Sequence, residues 1–169
     1  DFSRMESGQM PFHMVKADLA EYAAAYVAQK EKVTDPAVLE FHMNAGESMP
    51  EIFMDVEQVR RILDNLLENS QKYAMTVPVR VDLSIKETEQ YIILEWKDNG
   101  QGVPEEKLER IFERFYRCDE SRTKKGSGVG LYVVKYIMER HKGMVKASNE
   151  SGLKISLYFS KPGRKEEEA

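Results

Sequence analysis

The feature that most constrains the fold is the segment 56–74, which reads as one long helix with a single apolar face. At about 100° per residue, apolar side chains and one serine fall on the same broad arc. We expect this arc to be the buried face of the helix, and it comprises Val56, Val59, Ile62, Leu63, Leu66, Leu67 and Ser70. Such a helix is stable only when a second layer covers that face.

The covering layer is predicted from strand patterns after this helix. Residues 77–87 alternate between apolar and polar side chains, and 91–98 follow after a short polar connection, which is typical of a hairpin. A second hairpin is predicted around Ser151 and Gly152. The other predicted elements are helices over 18–33, with Asp18 as N-cap, and 129–143, ended by Gly143; short strands over 38–44 and 51–55; a short helix and aromatic turn over 104–117; and a loop over 118–128. The expected fold is α+β, a two-layer sandwich with an antiparallel or mixed sheet and helices on one face.

The composition excludes several classes of function. The length of 169 residues suits one domain, and 41% hydrophobic with 32% charged residues is typical of a soluble globular protein. The net charge of −4 argues against a general nucleic-acid binder. The single cysteine, Cys118, excludes an internal disulfide and a zinc site built from cysteines. No apolar run approaches the ~20 residues that cross a bilayer, so we expect no membrane contact by this domain.

Polar residues cluster at one border of the long helix. Asn65, Asn69, Lys72 and Tyr73 fall together where the helix should be half covered and half open, as the wall of a pocket would be. A carboxamide oxygen is a neutral, hard ligand for Mg²⁺, and a lysine on the same face can reach a phosphate. The alternative is that these are ordinary solvated side chains.

Two glycine-bearing loops add to this pattern. Asp98 stands at a predicted strand end before Gly100 and Gly102, where its carboxylate can accept from an exocyclic amine such as that of adenine. A plain turn is the alternative there.

The second loop places Gly126, Gly128 and Gly130 at the start of a helix, where unpaired N–H groups favour phosphate, and Lys124 and Lys125 add positive charge. The sequence lacks the phosphate-binding loop motif of P-loop proteins.

Four motifs occur in a fixed order, and together they carry a family resemblance. The order is NLLENSQKY, DNGQGVP, IFERFYR and GSGVGL. In this order they resemble the N, G1, F and G2 boxes of sensor histidine kinases, and the resemblance covers roughly residues 1–160. It implies the Bergerat ATP-binding sandwich, which is shared with gyrase, the Hsp90 chaperones and MutL.

The resemblance implies roles for the helix border and the strand end. Asn69 would bind Mg²⁺, Asn65 would line the same polyphosphate site, and Lys72 and Tyr73 would contact phosphates and ribose. Asp98 would bind the adenine amine of ATP, directly and through water.

The resemblance also implies a lid over the nucleotide. Residues 117–128 would form it and be mobile without ATP, with Phe112 and Phe115 packing its base. Arg117 matches the family's arginine near the γ-phosphate, and Arg114 is a weaker candidate. The other implied nucleotide contacts are Gly100, Gly102, Gly126, Gly128, Gly130 and Leu131.

The pair of asparagines bears on the type of reaction. In the ATP-hydrolysing relatives, a glutamate four positions before the metal-binding asparagine activates water, and here that position is Asn65. A carboxamide cannot serve as a base, so the site is expected to hold ATP and present its γ-phosphate to a nucleophile from another domain. Asn65, Lys72 and Arg117 are the residues expected to act in that transfer.

The chain departs from the family pattern in two places. The acceptor motif is absent, because none of His13, His42 and His141 is followed by the acidic residue and Thr-Pro of that motif. Leu153 follows Gly152 where Thr or Ser is usual, which leaves a hydroxyl contact to phosphate in question.

The missing acceptor suggests how the chain is organised. We expect 1–14 to be the end of a dimerisation-domain helix and its linker, 15–161 the ATP-binding domain, and 162–169 a solvated tail. The resemblance implies as partners the histidine-bearing dimerisation domain and a response regulator. It also implies a homodimeric parent that is anchored in the bacterial membrane, with this domain in the cytoplasm.

Two alternatives stay open from the sequence. One is a serine kinase of the anti-sigma-factor type, which shares the fold and phosphorylates a separate protein. The other is a nucleotide-binding module without transfer activity.

Overall fold

A computed structural model describes residues 2–44, 49–114, 116 and 130–163 of the chain. The strands are β1 (Val15–Ala17), β2 (Leu39–Asn44), β3 (Ile52–Met54), β4 (Val79–Glu87), β5 (Tyr91–Asp98), β6 (Met144–Asn149) and β7 (Leu153–Ser160). Five of them form one sheet in the order β2-β4-β5-β7-β6, in which β2 and β4 are parallel and the other neighbours antiparallel. The predicted mixed sheet and both predicted hairpins are confirmed.

The helices are α1 (Phe2–Glu6), α2 (Leu19–Val33), α3 (Val56–Tyr73) and α4 (Gly130–Arg140), with a 3₁₀ turn at Glu105–Lys107. The two longest helices begin at aspartates. The Asp18 carboxylate accepts from the first-turn amides of α2, as predicted, and the Asp55 carboxylate does the same for α3. These caps fix where each helix leaves the preceding strand or turn.

The core lies between the sheet and the helices. Along β5 the side chains alternate, so that Ile92, Leu94 and Trp96 point into the core. The helix α3 buries most of the predicted arc, namely Val59, Ile62, Leu63, Leu66, Leu67 and Ser70. The expectation for Val56 was wrong, because this first helical residue is 39% exposed and the covered length of α3 starts one turn later.

Two local features differ from the predicted elements. The strand β1 was missed, since three residues are too few to show a period, and it pairs antiparallel with β3 as a separate two-stranded sheet. The last helix ends at Arg140, earlier than the predicted Gly143. The left-handed residue beyond it is Lys142, with φ 58°, and the Gly143 amide then donates to the Met138 carbonyl at 2.9 Å.

The N-terminal segment is not simply a polar connector. Met5 of α1 and Met10 beyond it are both buried in the same core. The proposed boundaries at residues 14 and 161 stay predictions. Among the described helices, none has both the length and the apolar composition needed to cross a bilayer.

Candidate nucleotide-binding site

The carboxylate of Asp98 is the most constrained group of the site. It lies at the end of β5 and is only 5% exposed. Its Oδ1 accepts from the amides of Gly100 (2.9 Å) and Leu153 (3.2 Å), and its Oδ2 accepts from the Ser70 hydroxyl (3.3 Å). A carboxylate has about four acceptor positions, and the described residues fill three of them, which leaves one position on Oδ2 for a further donor.

Close approach of the backbone explains two glycines around Asp98. A Cβ on Gly100 would stand 2.4 Å from the Cα of Ala74, the residue that caps the end of α3. Gly152, in the turn between β6 and β7, has φ 137°, and a Cβ there would lie 1.9 Å from the Asp98 carbonyl oxygen. The sheet end, the helix end and the hairpin turn therefore meet with no room for a side chain.

Asn149, which the sequence did not predict as part of the site, supports the loop after Asp98. Its Oδ1 accepts from the Val103 amide at 2.9 Å, and its Nδ2 donates to the Val103 carbonyl at 2.5 Å. Gly102, with φ 73°, packs directly against this side chain. Asn149 thus holds the loop after Asp98 to the end of β6. An asparagine next to a turn is too common for the sequence alone to single it out.

Leu153 contributes to the site through its backbone. It departs from the family pattern in having no hydroxyl, but its amide donates to Asp98 Oδ1. A contact of this kind does not depend on the side chain, so the pattern mismatch leaves the support of Asp98 in place.

The predicted border of α3 is observed as a half-buried row. Asn65, Asn69, Lys72 and Tyr73 are all neither fully buried nor fully exposed. Asn65 donates through Nδ2 to the carbonyl of Gly130 at 3.2 Å, which joins α3 to the first residue of α4. Lys72 instead pairs with Glu68 of its own helix, with Nζ and Oε1 2.7 Å apart.

The donor set at this border suits a magnesium ion. Among the residues that the structure describes, none hydrogen-bonds the Asn69 carboxamide, and Asn69 lies one turn from Asn65 and from Lys72. Mg²⁺ takes few protein ligands and keeps water and phosphate oxygens, so a single carboxamide oxygen fits its requirements, while the positive charge of the lysine suits the phosphates and not the metal. Within the described ranges, no group of three or more acidic, histidine or cysteine side chains forms a separate metal site.

The start of α4 completes what the structure describes of the phosphate side. Gly130 opens this helix and Leu131 follows it, half-buried. Within the described residues, no atom lies within 4 Å of the place where a Cβ on Gly130 would stand. The predicted site residues Arg117, Gly126 and Gly128 lie outside the described residues, as does the rest of the expected lid.

The aromatic turn contributes packing and an ion pair with α1. Phe112 is buried in the core, as expected for the base of a lid, and Phe115 lies outside the described residues. Arg114, the weaker candidate for a phosphate contact, pairs with Glu6 of α1.

A separate buried cluster holds the start of α3. Asp55 Oδ1 caps the helix, its Oδ2 accepts from the His13 amide at 2.8 Å, and its own amide donates to His141 Nε2 at 3.0 Å. The other ring nitrogen of His141 contacts the Ile137 carbonyl at 2.8 Å. Burial lowers the pKa of His141, more than the carbonyl and the Asp55 charge raise it. His141 is therefore a neutral, structural side chain.

Comparison with known proteins agrees with this geometry. The family model described as histidine kinase-, DNA gyrase B- and HSP90-like ATPase matches residues 54–163. The sensor histidine kinase WalK of Bacillus subtilis is 27% identical over 169 residues, which is 98% of this chain and 28% of that protein. The sensor protein kinase WalK of Staphylococcus aureus is 36% identical over 112 residues, 64% of this chain and 27% of that protein.

Solved structures show the same fold. The catalytic domain of the histidine kinase ThkA has a TM-score of 0.75 at 20% identity, over 89% of this chain and 99% of that one. Full-length ShkA in complex with AMPPNP has a TM-score of 0.76 at 22% identity, over 95% of this chain and 33% of that one. The resemblance drawn from the four motifs is confirmed. The chain spans under a third of the length of the WalK kinases of Bacillus subtilis and Staphylococcus aureus.

Proposed function

Because this chain belongs to the family of histidine kinase-, DNA gyrase B- and HSP90-like ATPases, we propose that it is the domain of a sensor histidine kinase that binds ATP with Mg²⁺. The domain presents the γ-phosphate to a histidine on a dimerisation helix. The observation that carries this proposal is the buried Asp98 carboxylate, which is held by three donors and keeps an acceptor position for an adenine amine.

The phosphate side of the site follows from α3. Asn69 offers its carboxamide oxygen to Mg²⁺, and Lys72 exchanges Glu68 for a phosphate oxygen when ATP is present. Tyr73, Gly100 and Gly102 border the base and ribose, while Gly130 and Leu131 border the phosphates. Arg117, Gly126 and Gly128 complete the proposed set from the lid segment.

Transfer needs positioning and charge neutralisation more than covalent chemistry from the domain. A histidine nitrogen attacks the γ-phosphorus in line, the P–N bond forms, and the bond from phosphorus to the β–γ bridging oxygen breaks, so that ADP leaves with that electron pair. The proton of the attacking imidazole passes to a carboxylate beside the histidine. Lys72, Arg117 and the metal offset the charge on the phosphates, and Asn65 does not activate water, so hydrolysis is slow.

The partners belong to the same proposal. They are the chain's own dimerisation and histidine phosphotransfer domain, and a response regulator whose aspartate receives the phosphoryl group. The parent is a homodimer anchored in the bacterial membrane, with this domain in the cytoplasm. The serine-kinase alternative is less favoured, since the relatives compared above are sensor histidine kinases.

Incubation with γ-labelled ATP tests the proposal. The chain alone should bind ATP, turn it over slowly and take up no label. Addition of the histidine helix from a sensor kinase, in trans or by fusion, should give label that is acid-labile and base-stable, as phosphohistidine is. Stable label on His13, His42 or His141 of the chain alone would contradict the proposal that the acceptor histidine lies in a separate domain.

A further inference from the structure

We infer that Ser70 and Trp96 are positioning residues that orient the Asp98 carboxylate for the 6-amino group of adenine. The inference rests on the proposed function, since it concerns the residue that meets the base. Trp96 is 1% exposed and Ser70 2% exposed, so both lie beneath the site and neither touches a nucleotide directly.

The hydrogen-bond direction along this relay is fixed by chemistry. An indole nitrogen can only donate, and Trp96 Nε1 lies 3.0 Å from Ser70 Oγ. The serine oxygen must therefore accept from the indole, which leaves its own proton to point at Asp98 Oδ2, 3.3 Å away. The relay runs one way, from Trp96 through Ser70 to Asp98.

The relay decides which face of the carboxylate is open. Oδ1 is occupied by the amides of Gly100, in the loop after β5, and of Leu153, the first residue of β7. Among the described residues, Oδ2 receives only the Ser70 hydroxyl. Donors on both oxygens prevent rotation of the carboxylate, and the remaining position on Oδ2 is the one that a ligand amine can use.

A serine on the core face of α3 needs such a partner. A buried hydroxyl without a hydrogen bond is costly, and so is a buried indole N–H. A purely structural role would end there, with Ser70 serving only to satisfy Trp96. The two roles differ in one respect: the positioning role predicts that loss of Ser70 changes which base is preferred.

The chain of hydrogen bonds from Trp96 through Ser70 to Asp98 can be tested without any ligand. Trp96 is the only tryptophan of the chain, so a ¹⁵N-labelled sample gives one indole N–H resonance. Asp98→Asn should shift that resonance, and the shift should largely vanish when the same substitution is made in a Ser70→Ala background. A shift of equal size in both backgrounds would overturn the relay, because Asp98 would then act on the indole without Ser70.

The functional part is tested with two nucleotides, ATP and the triphosphate of purine riboside, which lacks the 6-amino group. Ser70→Ala should reduce the preference for ATP by about fivefold, the order expected for one ordinary hydrogen bond, because Ser70 acts on the base only through Asp98. Ser70→Thr should retain the preference because it keeps a hydroxyl. Ser84→Ala, which removes a serine that bonds Glu95 on the far face of the sheet, serves as the control.

The outcomes separate this inference from the proposed function. If Ser70→Ala weakens both nucleotides by the same factor, Ser70 is only structural and the inference is wrong. If the unmodified chain prefers neither nucleotide, Asp98 does not read the 6-amino group, and both the adenine assignment and the inference fall. Thermal unfolding of each variant shows whether it is folded before binding is measured.

Discussion

The proposed adenine end and the proposed phosphate end of the site differ in how their polar groups are satisfied. Around Asp98, three donors from α3, the loop after β5 and the first residue of β7 converge on one buried carboxylate. Along the border of α3, the groups are half-buried: Lys72 pairs with Glu68 of the same helix, Asn65 donates to the Gly130 carbonyl of α4, and Asn69 has no hydrogen bond among the described residues. The base pocket is thus built by the core itself, whereas the phosphate side must exchange protein contacts for ligand contacts.

The difference has an energetic reason. A buried charge without partners is costly, so the fold has to complete the surroundings of Asp98 whether or not a nucleotide is bound. An exposed lysine pair within one helix contributes little, so Lys72 can change partner at small expense. The adenine end should therefore be sensitive to single substitutions and the phosphate end tolerant of them.

The largest effect is expected at the adenine end. Asp98→Asn should weaken ATP binding by about a hundredfold and remove the preference over GTP, since hydrogen bonds to a charged group are worth roughly 1.5–3 kcal/mol. Titration calorimetry with ATP, ADP and GTP measures it. Asp82→Asn, which breaks the exposed pair with Arg80, is the charge-matched control. Equal affinities for ATP and GTP in the unmodified chain would remove the adenine role.

A smaller effect is expected at the metal position. Asn69→Ala should weaken binding of Mg²⁺-ATP by about tenfold, the order expected for one lost ligand or polar contact, and leave binding in EDTA nearly unchanged. Asn65→Ala should instead act through the lost bond to the Gly130 carbonyl and keep the metal dependence. Binding with and without EDTA separates the two. A full metal effect in Asn69→Ala would show that the ligand is elsewhere.

The groups of the site also differ in how far the sequence alone predicts them. Asp98, Gly100 and the α3 border were predicted because each follows from a local pattern, a strand end or a helical period. The contacts made by the amide of Leu153 and by the side chain of Asn149 were not predicted. Both residues lie about fifty positions along the chain from the groups they bond, and the register of β6 and β7 brings them to the site.

Ser70 shows the limit within a single helix. Helical spacing assigned it correctly to the buried face, but spacing carries no information on which group of the sheet would meet it. Its partner Trp96 is set by tertiary packing. The Lys72–Glu68 pair, in contrast, has the i,i+4 spacing and was open to prediction from the sequence.

A substitution that raises ATP affinity should test whether the groups at the proposed phosphate end change partners. Glu68→Gln frees Lys72 and should raise ATP affinity by about twofold, because an exposed pair of this kind is worth only about 0.3–0.5 kcal/mol. Glu87→Gln releases Lys161 at the opposite end of β5 and is the matched control. Fluorescence titration of both variants would show the difference. An unchanged affinity in Glu68→Gln would mean that Lys72 does not leave its helix for phosphate.

The smallest effect on nucleotide preference is expected from acid. The folded pKa of His141 is lowered, so between the unfolded value of about 6.5 and the folded value the unfolded chain binds more protons. Stability is full above that range and falls as the pH drops through it. Protonation also places a hydrogen on Nε2 of His141, so that this nitrogen can no longer accept the hydrogen bond from the Asp55 amide.

Urea unfolding at two pH values, about 7.5 and 5.5, checks this, with the ATP-to-GTP preference measured in parallel. The urea midpoint should be lower at the lower pH. The preference for ATP over GTP should persist, because His141 supports the start of α3 and does not contact the proposed nucleotide site. A pH dependence that survives His141→Gln would assign it to another group.

The Asp55 carboxylate has a mechanical consequence. One of its oxygens accepts from the first turn of α3 and the other accepts from the backbone amide of His13, so the segment between α1 and β1 is joined to the start of α3 through a single side chain. Asn69 stands roughly 21 Å farther along that helix, at about 1.5 Å per residue. The helix that carries the proposed phosphate contacts is therefore anchored at its start by the segment that precedes β1.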